Sequence, residues 1–201
     1  MDQNTAAIAS VIGDRIRRER QSRRWTLDQL AEAAGVSRRM LVKVEQGAAN
    51  PSVGTLLRLS NALGVGLPDL IEAPGAKPVR VTRRGEGAEL WSSVGGGRGV
   101  LVAGTERPDV VELWDWTLAP GDRHASEAHS AGTKELLQVH QGTITVEVDD
   151  ESVSLGPGDA LSFPGDMPHS YANLKKRPAR FSLAVFEPGL GSRAHSEAIG
   201  G

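Results

Sequence analysis

The chain has 201 residues, a formal net charge of -2, 39% hydrophobic residues and no cysteine. Such a length suits one large or two small domains, and the missing cysteines exclude disulfides, thiolate metal sites and a cysteine nucleophile. No apolar run approaches the roughly 18 residues of a membrane span, and MDQNTAAIASVIGDRI has no basic region followed by an apolar core, so a cytoplasmic location without a membrane partner is expected.

The small net charge conceals an asymmetry. The first 84 residues carry 14 Lys or Arg against 8 Asp or Glu, whereas the remainder carries 9 against 17. A basic N-terminal part joined to an acidic C-terminal one suits a polyanion at one end and a different partner at the other.

Taken in order, Met1 to Ala6 is polar and small and is expected to be disordered. From Ala7, the apolar Ile8, Val11, Ile12 and Ile16 recur at helical spacing and predict a helix ending near Arg23, made basic by Arg15, Arg17, Arg18 and Arg20. Trp25 falls where the chain turns. Thr26 is placed to cap a second helix with Leu27, Leu30, Ala31 and Ala34 on one face, and Gly35 breaks it. Ser37 is placed to cap a third helix, turning Met40, Leu41 and Val44 inward and leaving Arg38, Arg39, Val42 and Lys43 outside. After the loop of Gln46 to Pro51, Ser52 caps a fourth helix with Leu56, Leu57, Leu59 and Leu63 apolar, which Gly64 ends. Pro68 then starts a short fifth helix whose Leu70 and Ile71 close a small core.

Two helices joined by a tight turn, the second basic on its free face, suit the major groove, where Arg or Lys pairs with guanine O6 and N7. A solvated basic helix face is the alternative for Arg38 and Arg39 taken alone. The whole stretch RIRRERQSRRWTLDQLAEAAGVSRRMLVKVEQGAANPSVGTLLRLSNALGV resembles the lambda-repressor-like, Xre-type helix-turn-helix family. The resemblance implies a five-helix DNA-binding domain over residues 7–72, with base contacts from Arg38, Arg39 and Lys43 and with Ser37 near a phosphate. It also implies backbone contacts from Thr26, Gln46 and Asn50, and a structural pair of Arg20 with Glu45. Operator DNA is the implied partner, bound by a homodimer.

Residues 73–89, rich in Pro, Gly and Arg, read as a linker that merges into a first strand near Val79 to Thr82. From Leu90 the pattern alternates. Short runs at 99–103, 110–118, 135–139, 143–148, 152–155, 160–163 and 180–185, separated by Gly and Pro, predict a sandwich or barrel over residues 90–188. Residues 189–201, with His195, read as a mobile tail.

Two segments, PGDRHASEAHSAGTKELLQVHQGTITVEV and GDALSFPGDMPHSYAN, resemble the two motifs of the cupin family and imply a double-stranded β-helix barrel. Gly121, His129, Glu135, Gly142, Gly158, Pro164, His169 and Asn173 match the pattern. It departs at Glu127, which stands where a first His belongs, at one extra residue between His129 and Glu135, and at Asp166 in place of a glycine. Residues two apart on a strand share a face. If these faces point inward, Glu127, His129, Glu135 and His169 converge as a candidate site for a divalent metal, Zn, Fe, Mn or Ni. With Tyr171 and Asn173 they equally suit hydrogen bonding to a small polar effector. His140 alternates outward and His124 falls in a loop, so neither is expected as a ligand.

The expected function is a ligand-controlled transcription regulator, a repressor and not an enzyme. A metal-dependent cupin enzyme carrying a DNA-binding domain is the alternative, and a cupin that only dimerises the protein is a third.

Overall fold

A computed structural model of the chain describes residues 3–49, 51–71 and 79–189. Asn50, residues 73–78 of the expected linker, and residues 190–201 of the expected tail, His195 among them, lie outside the described residues. The chain forms two compact units, one helical and one of strands.

The helical unit contains α1 (Gln3–Ser22), α2 (Leu27–Ala33), α3 (Arg38–Glu45), α4 (Val53–Leu63) and α5 (Leu67–Ile71). Helix α1 begins within the stretch expected to be disordered. Its buried stripe is Ala9, Ile12 and Ile16, whereas Val11, expected inward, is 50% exposed because it lies off that line. Gly13 is needed where α1 meets α3: a Cβ there would stand 2.3 Å from the Val44 carbonyl oxygen.

Three helix starts are capped as their sequences predict. Thr26 Oγ1 accepts from the Gln29 amide at 3.2 Å while Gln29 Oε1 accepts from the Thr26 amide at 2.8 Å, a reciprocal capping box. Ser37 accepts from the Met40 amide at 3.1 Å, and Ser52 from the Thr55 amide at 3.2 Å. Gly64 ends α4 in the left-handed region, with φ of 61°. Leu30, Leu41, Val44, Leu56, Leu59, Leu63 and Leu70 fill the core. Met40, expected to join them, is 39% exposed, since the buried line of α3 runs through Leu41 and Val44.

The β unit contains β1 (Ala88–Ser92), β2 (Arg98–Gly104), β3 (Val110–Leu118), β4 (Arg123–Ser126), β5 (Lys134–Gln141), β6 (Ile144–Val148), β7 (Glu151–Leu155), β8 (Ala160–Pro164), β9 (His169–Ala172) and β10 (Ala179–Glu187). One sheet has the order β1-β2-β3-β10-β5-β8 and the other β4-β9-β6-β7, with antiparallel neighbours. The expected strand at Val79 to Thr82 does not form: Val79 and Val81 are 77% and 61% exposed, and the first strand begins at Ala88. Inward positions of the two sheets meet in a buried core. Trp116 of β3 lies 6.2 Å from Tyr171 of β9, and Phe181 of β10 lies 5.5 Å from the same ring.

Candidate nucleic-acid interface and barrel site

Helix α3 is held from behind and open in front. Leu41 and Val44 are buried, and Arg20 at the end of α1 grips Glu45 with two hydrogen bonds, Nε to Oε1 at 2.7 Å and Nη2 to Oε2 at 2.8 Å. A third bond from Arg20 Nη1 reaches the Trp25 carbonyl oxygen at 2.9 Å, tying the turn to both helices. This is the structural pair that the sequence resemblance implies. The guanidinium satisfies both oxygens of Glu45 in a bidentate pair.

Arg38, Arg39 and Lys43 are exposed on α3, and the four-residue spacing of Arg39 and Lys43 puts them on one face. Arg38 Nε lies 3.1 Å from Asp28 Oδ1, with both side chains largely in solvent, so the pair is weakly held and can yield to a phosphate or base. Thr26 and Ser37 are exposed caps whose hydroxyls accept a backbone N–H and retain their own proton to donate. Gln46 is exposed just past α3, and Asn50 lies outside the described residues. This surface can therefore offer side-chain cations and hydroxyl donors to a polyanion.

Inside the β unit, His129, Glu135 and His169 come together, each offering a ligand atom within 4.8 Å of the others. Glu135 Oε1 lies 3.0 Å from His129 Nε2 and 3.2 Å from His169 Nε2, and its Oε2 accepts a short hydrogen bond from the Tyr171 hydroxyl. Burial alone would raise the Glu135 pKa, but hydrogen bonds from the two imidazoles overcome it and bring it to about 2. Burial works against a charge on His169, yet its bond to Glu135 prevails and raises its pKa. His169 Nδ1 lies 2.8 Å from the Met167 carbonyl oxygen, an arrangement that fixes the proton on Nδ1 and directs Nε2 to the cluster. Two imidazole nitrogens and one carboxylate oxygen form a donor set that fits a first-row divalent metal.

The other expected pocket residues fare differently. Glu127 is exposed and stands outside the three-residue cluster: β4 ends at Ser126, so alternation does not carry it inward with His129. Asn173 is fully buried and engaged with backbone, donating from Nδ2 to the Leu118 and Arg177 carbonyl oxygens at 3.0 and 2.9 Å and accepting at Oδ1 from the Lys175 amide at 2.9 Å. It secures the chain after β9 and leaves no amide proton for a ligand. His124, expected in a loop, belongs to β4, and its ring packs 4.8 Å from Trp116. Burial pushes its pKa down to about 4, so it serves as a neutral aromatic wall. His140 is exposed as expected, 2.8 Å from the Ser182 hydroxyl.

Two further buried carboxylates, Glu112 and Glu187, escaped the sequence reading. The signal was present: in VVELWDWTL the alternation that buries Trp114 and Trp116 also buries Glu112, and in ARFSLAVFE it carries Glu187 inward with Val185.

Fold and site together define a two-domain protein that joins a helix-turn-helix unit to a cupin. Residues 16–70 match the family HTH_3, Helix-turn-helix, and residues 114–186 match Cupin_2, Cupin domain. The chain is homologous to HTH-type transcriptional regulators: it is 27% identical over 181 residues to the HTH-type transcriptional regulator SutR of Escherichia coli (strain K12), an alignment covering 90% of this chain and 97% of that protein. The Immunity repressor protein of Bacillus phage phi105 is 43% identical over 54 residues, 27% of this chain and 38% of its own. A crystal structure of an HTH_3 family transcriptional regulator from Vibrio cholerae shares the fold with a TM-score of 0.73 at 24% identity, covering 92% of this chain and 99% of that one. No helix among the described residues is long and apolar enough to cross a membrane.

Proposed function

We propose that this DNA-binding regulator is a cytoplasmic repressor whose operator affinity is set by a small polar ligand in the cupin. The observation that carries the reading is the surface of α3, which presents Arg38, Arg39 and Lys43 outward while Leu41, Val44 and the Arg20–Glu45 pair hold the helix from behind. A homodimer would place two such helices on half-sites roughly one helical turn apart. A ligand changes operator affinity if it binds the DNA-competent arrangement and its alternative unequally. His129, Glu135 and His169 would hold a divalent ion, with Zn, Fe, Mn and Ni as the candidates, and such an ion would give the ligand a Lewis-acidic anchor.

A non-catalytic role is favoured by the alignment with a transcriptional regulator that runs through both units. The same His–Glu–His group favours the second reading, a metal-dependent enzyme bearing a DNA-binding domain. The deciding experiment measures melting temperature and operator affinity with a panel of metals and small polar compounds. A compound that stabilises the protein, alters operator affinity and is recovered intact supports the regulator. A compound consumed by metal-loaded protein overturns the non-enzyme reading, and a panel that never moves operator affinity while binding the cupin overturns ligand control.

A further inference from the structure

The inner face of the larger sheet carries a polar group beside His129, Glu135 and His169 that a metal would not use. Strand β10 runs between β3 and β5, and Val185 pairs with Glu112 on one side and Glu135 on the other. Glu187 lies two residues along β10 on the same face, and the β5 register, continued by one residue beyond Lys134, brings Thr133 beside it. Glu112, Thr133 and Glu187 are 1%, 1% and 0% exposed. Trp114 Nε1 donates to Glu112 Oε2 at 2.9 Å. Glu112 Oε1, both carboxylate oxygens of Glu187 and the Thr133 hydroxyl have no hydrogen-bond partner among the described residues.

We propose that Glu112, Glu187 and Thr133 form a recognition subsite for a protonated primary amine, so that the cupin's ligand is a small organic ammonium compound. The inference rests on the ligand-control reading and gives the ligand its chemical class. An ammonium group has three tetrahedral N–H donors, which suit acceptors on three separate residues. A quaternary ammonium has no N–H and would leave every one of these oxygens unsatisfied. The planar fork of a guanidinium matches the two oxygens of one carboxylate and suits a divided set less well. Among the described residues, the group of three His, Cys, Asp or Glu side chains with ligand atoms within 4.8 Å of one another is His129, Glu135 and His169, which is where a metal would be held. Burial, reinforced by Glu187, pushes Glu112 up to about 8, and burial raises Glu187 as well.

The test uses full-length protein with n-butylamine as probe and with n-butanol and tetramethylammonium chloride as matched controls. Butylamine should raise the melting temperature in a saturable way and change the emission of the tryptophans, since Trp114 bonds directly to Glu112. Neither control should do so. Glu112→Gln and Glu187→Gln retain shape and remove an ionisable carboxyl that can pair with an ammonium, so each should melt close to or above wild type without amine and bind butylamine at least about tenfold more weakly. Thr133→Val keeps both carboxylates and should weaken binding several-fold, which keeps the test open if the glutamine variants fail to fold. Equal stabilisation by butylamine and tetramethylammonium, no response to butylamine, or unchanged amine affinity in the variants would overturn the proposal. Operator affinity read in the same wild-type samples separates the two claims: saturable amine binding that leaves operator affinity untouched supports the subsite and overturns ligand control.

Discussion

Glu45 in the helical unit and Glu112 in the β unit are both carboxylates withdrawn from solvent, but they are served differently. Glu45 receives two hydrogen bonds from one arginine. Glu112 receives one from a neutral tryptophan and has a second buried carboxylate, Glu187, for a neighbour. The helical unit thus settles the charge of Glu45 internally and presents Arg39 and Lys43 of α3 to solvent. The β unit gathers imidazoles and carboxylates inside, where several oxygens have no donor among the described residues. A polyanion the size of a duplex can be met only at a surface, whereas the small ligand proposed for the cupin would be enclosed.

The largest effect should come from breaking the satisfied pair. Glu45→Ala leaves the Arg20 guanidinium largely buried without a counter-charge and should cost roughly 2–4 kcal/mol in denaturant unfolding of the helical unit. Replacing both partners with apolar residues of similar volume should recover much of that loss, and failure to recover would show that the pair positions α3 beyond its own charge balance. Arg39→Ala should weaken specific operator binding by roughly 1–3 kcal/mol, as read by titration of labelled duplex, while circular dichroism stays unchanged. In the β unit, Tyr171→Phe removes the hydroxyl donor to Glu135 and should cost about 1 kcal/mol, measured as a shift in the unfolding midpoint.

The smallest effect sharpens the contrast through pH. Glu112 stands at about 8 in the folded protein against an ordinary 4.5, so between those values the folded state holds a proton that the unfolded chain has released. Its contribution to stability is therefore fully present below about 4.5 and falls as pH rises toward about 8, levelling beyond it. Glu112→Gln should flatten that part of the stability profile. An unchanged slope would mean that Glu112 is not the group that takes up the proton.

Much of the helical unit was legible in sequence because its signals are local. Thr26, Ser37, Ser52 and Gly64 act on neighbouring backbone, and all four cap where their spacing predicts. The misses at Val11 and Met40 arise from where the buried stripe of each helix runs, which depends on the helices packed against it. In the β unit the long alternating strands such as β3 were legible, whereas β9, buried at all four residues, has no alternation to find. His129, Glu135 and His169 could be named from their resemblance to a cupin motif. Glu127 and Asn173 could not be sorted from them in this way, because one lies past a strand end and the other is engaged by the distant Leu118 carbonyl as well as the nearby Arg177 one. Glu112 and Glu187 are the instructive omission, since a charge at an inward-facing position of an apolar strand is itself a signal.

The most direct test of α3 as the reader of DNA is to sequence the duplexes retained from a random pool by the full-length protein and by its Arg39→Ala variant. The wild type should enrich two half-sites roughly one helical turn apart, and the variant should keep that spacing while losing preference at one position in each half-site. Enrichment of no sequence by the wild type, or the same base preferences from both proteins, would contradict the account.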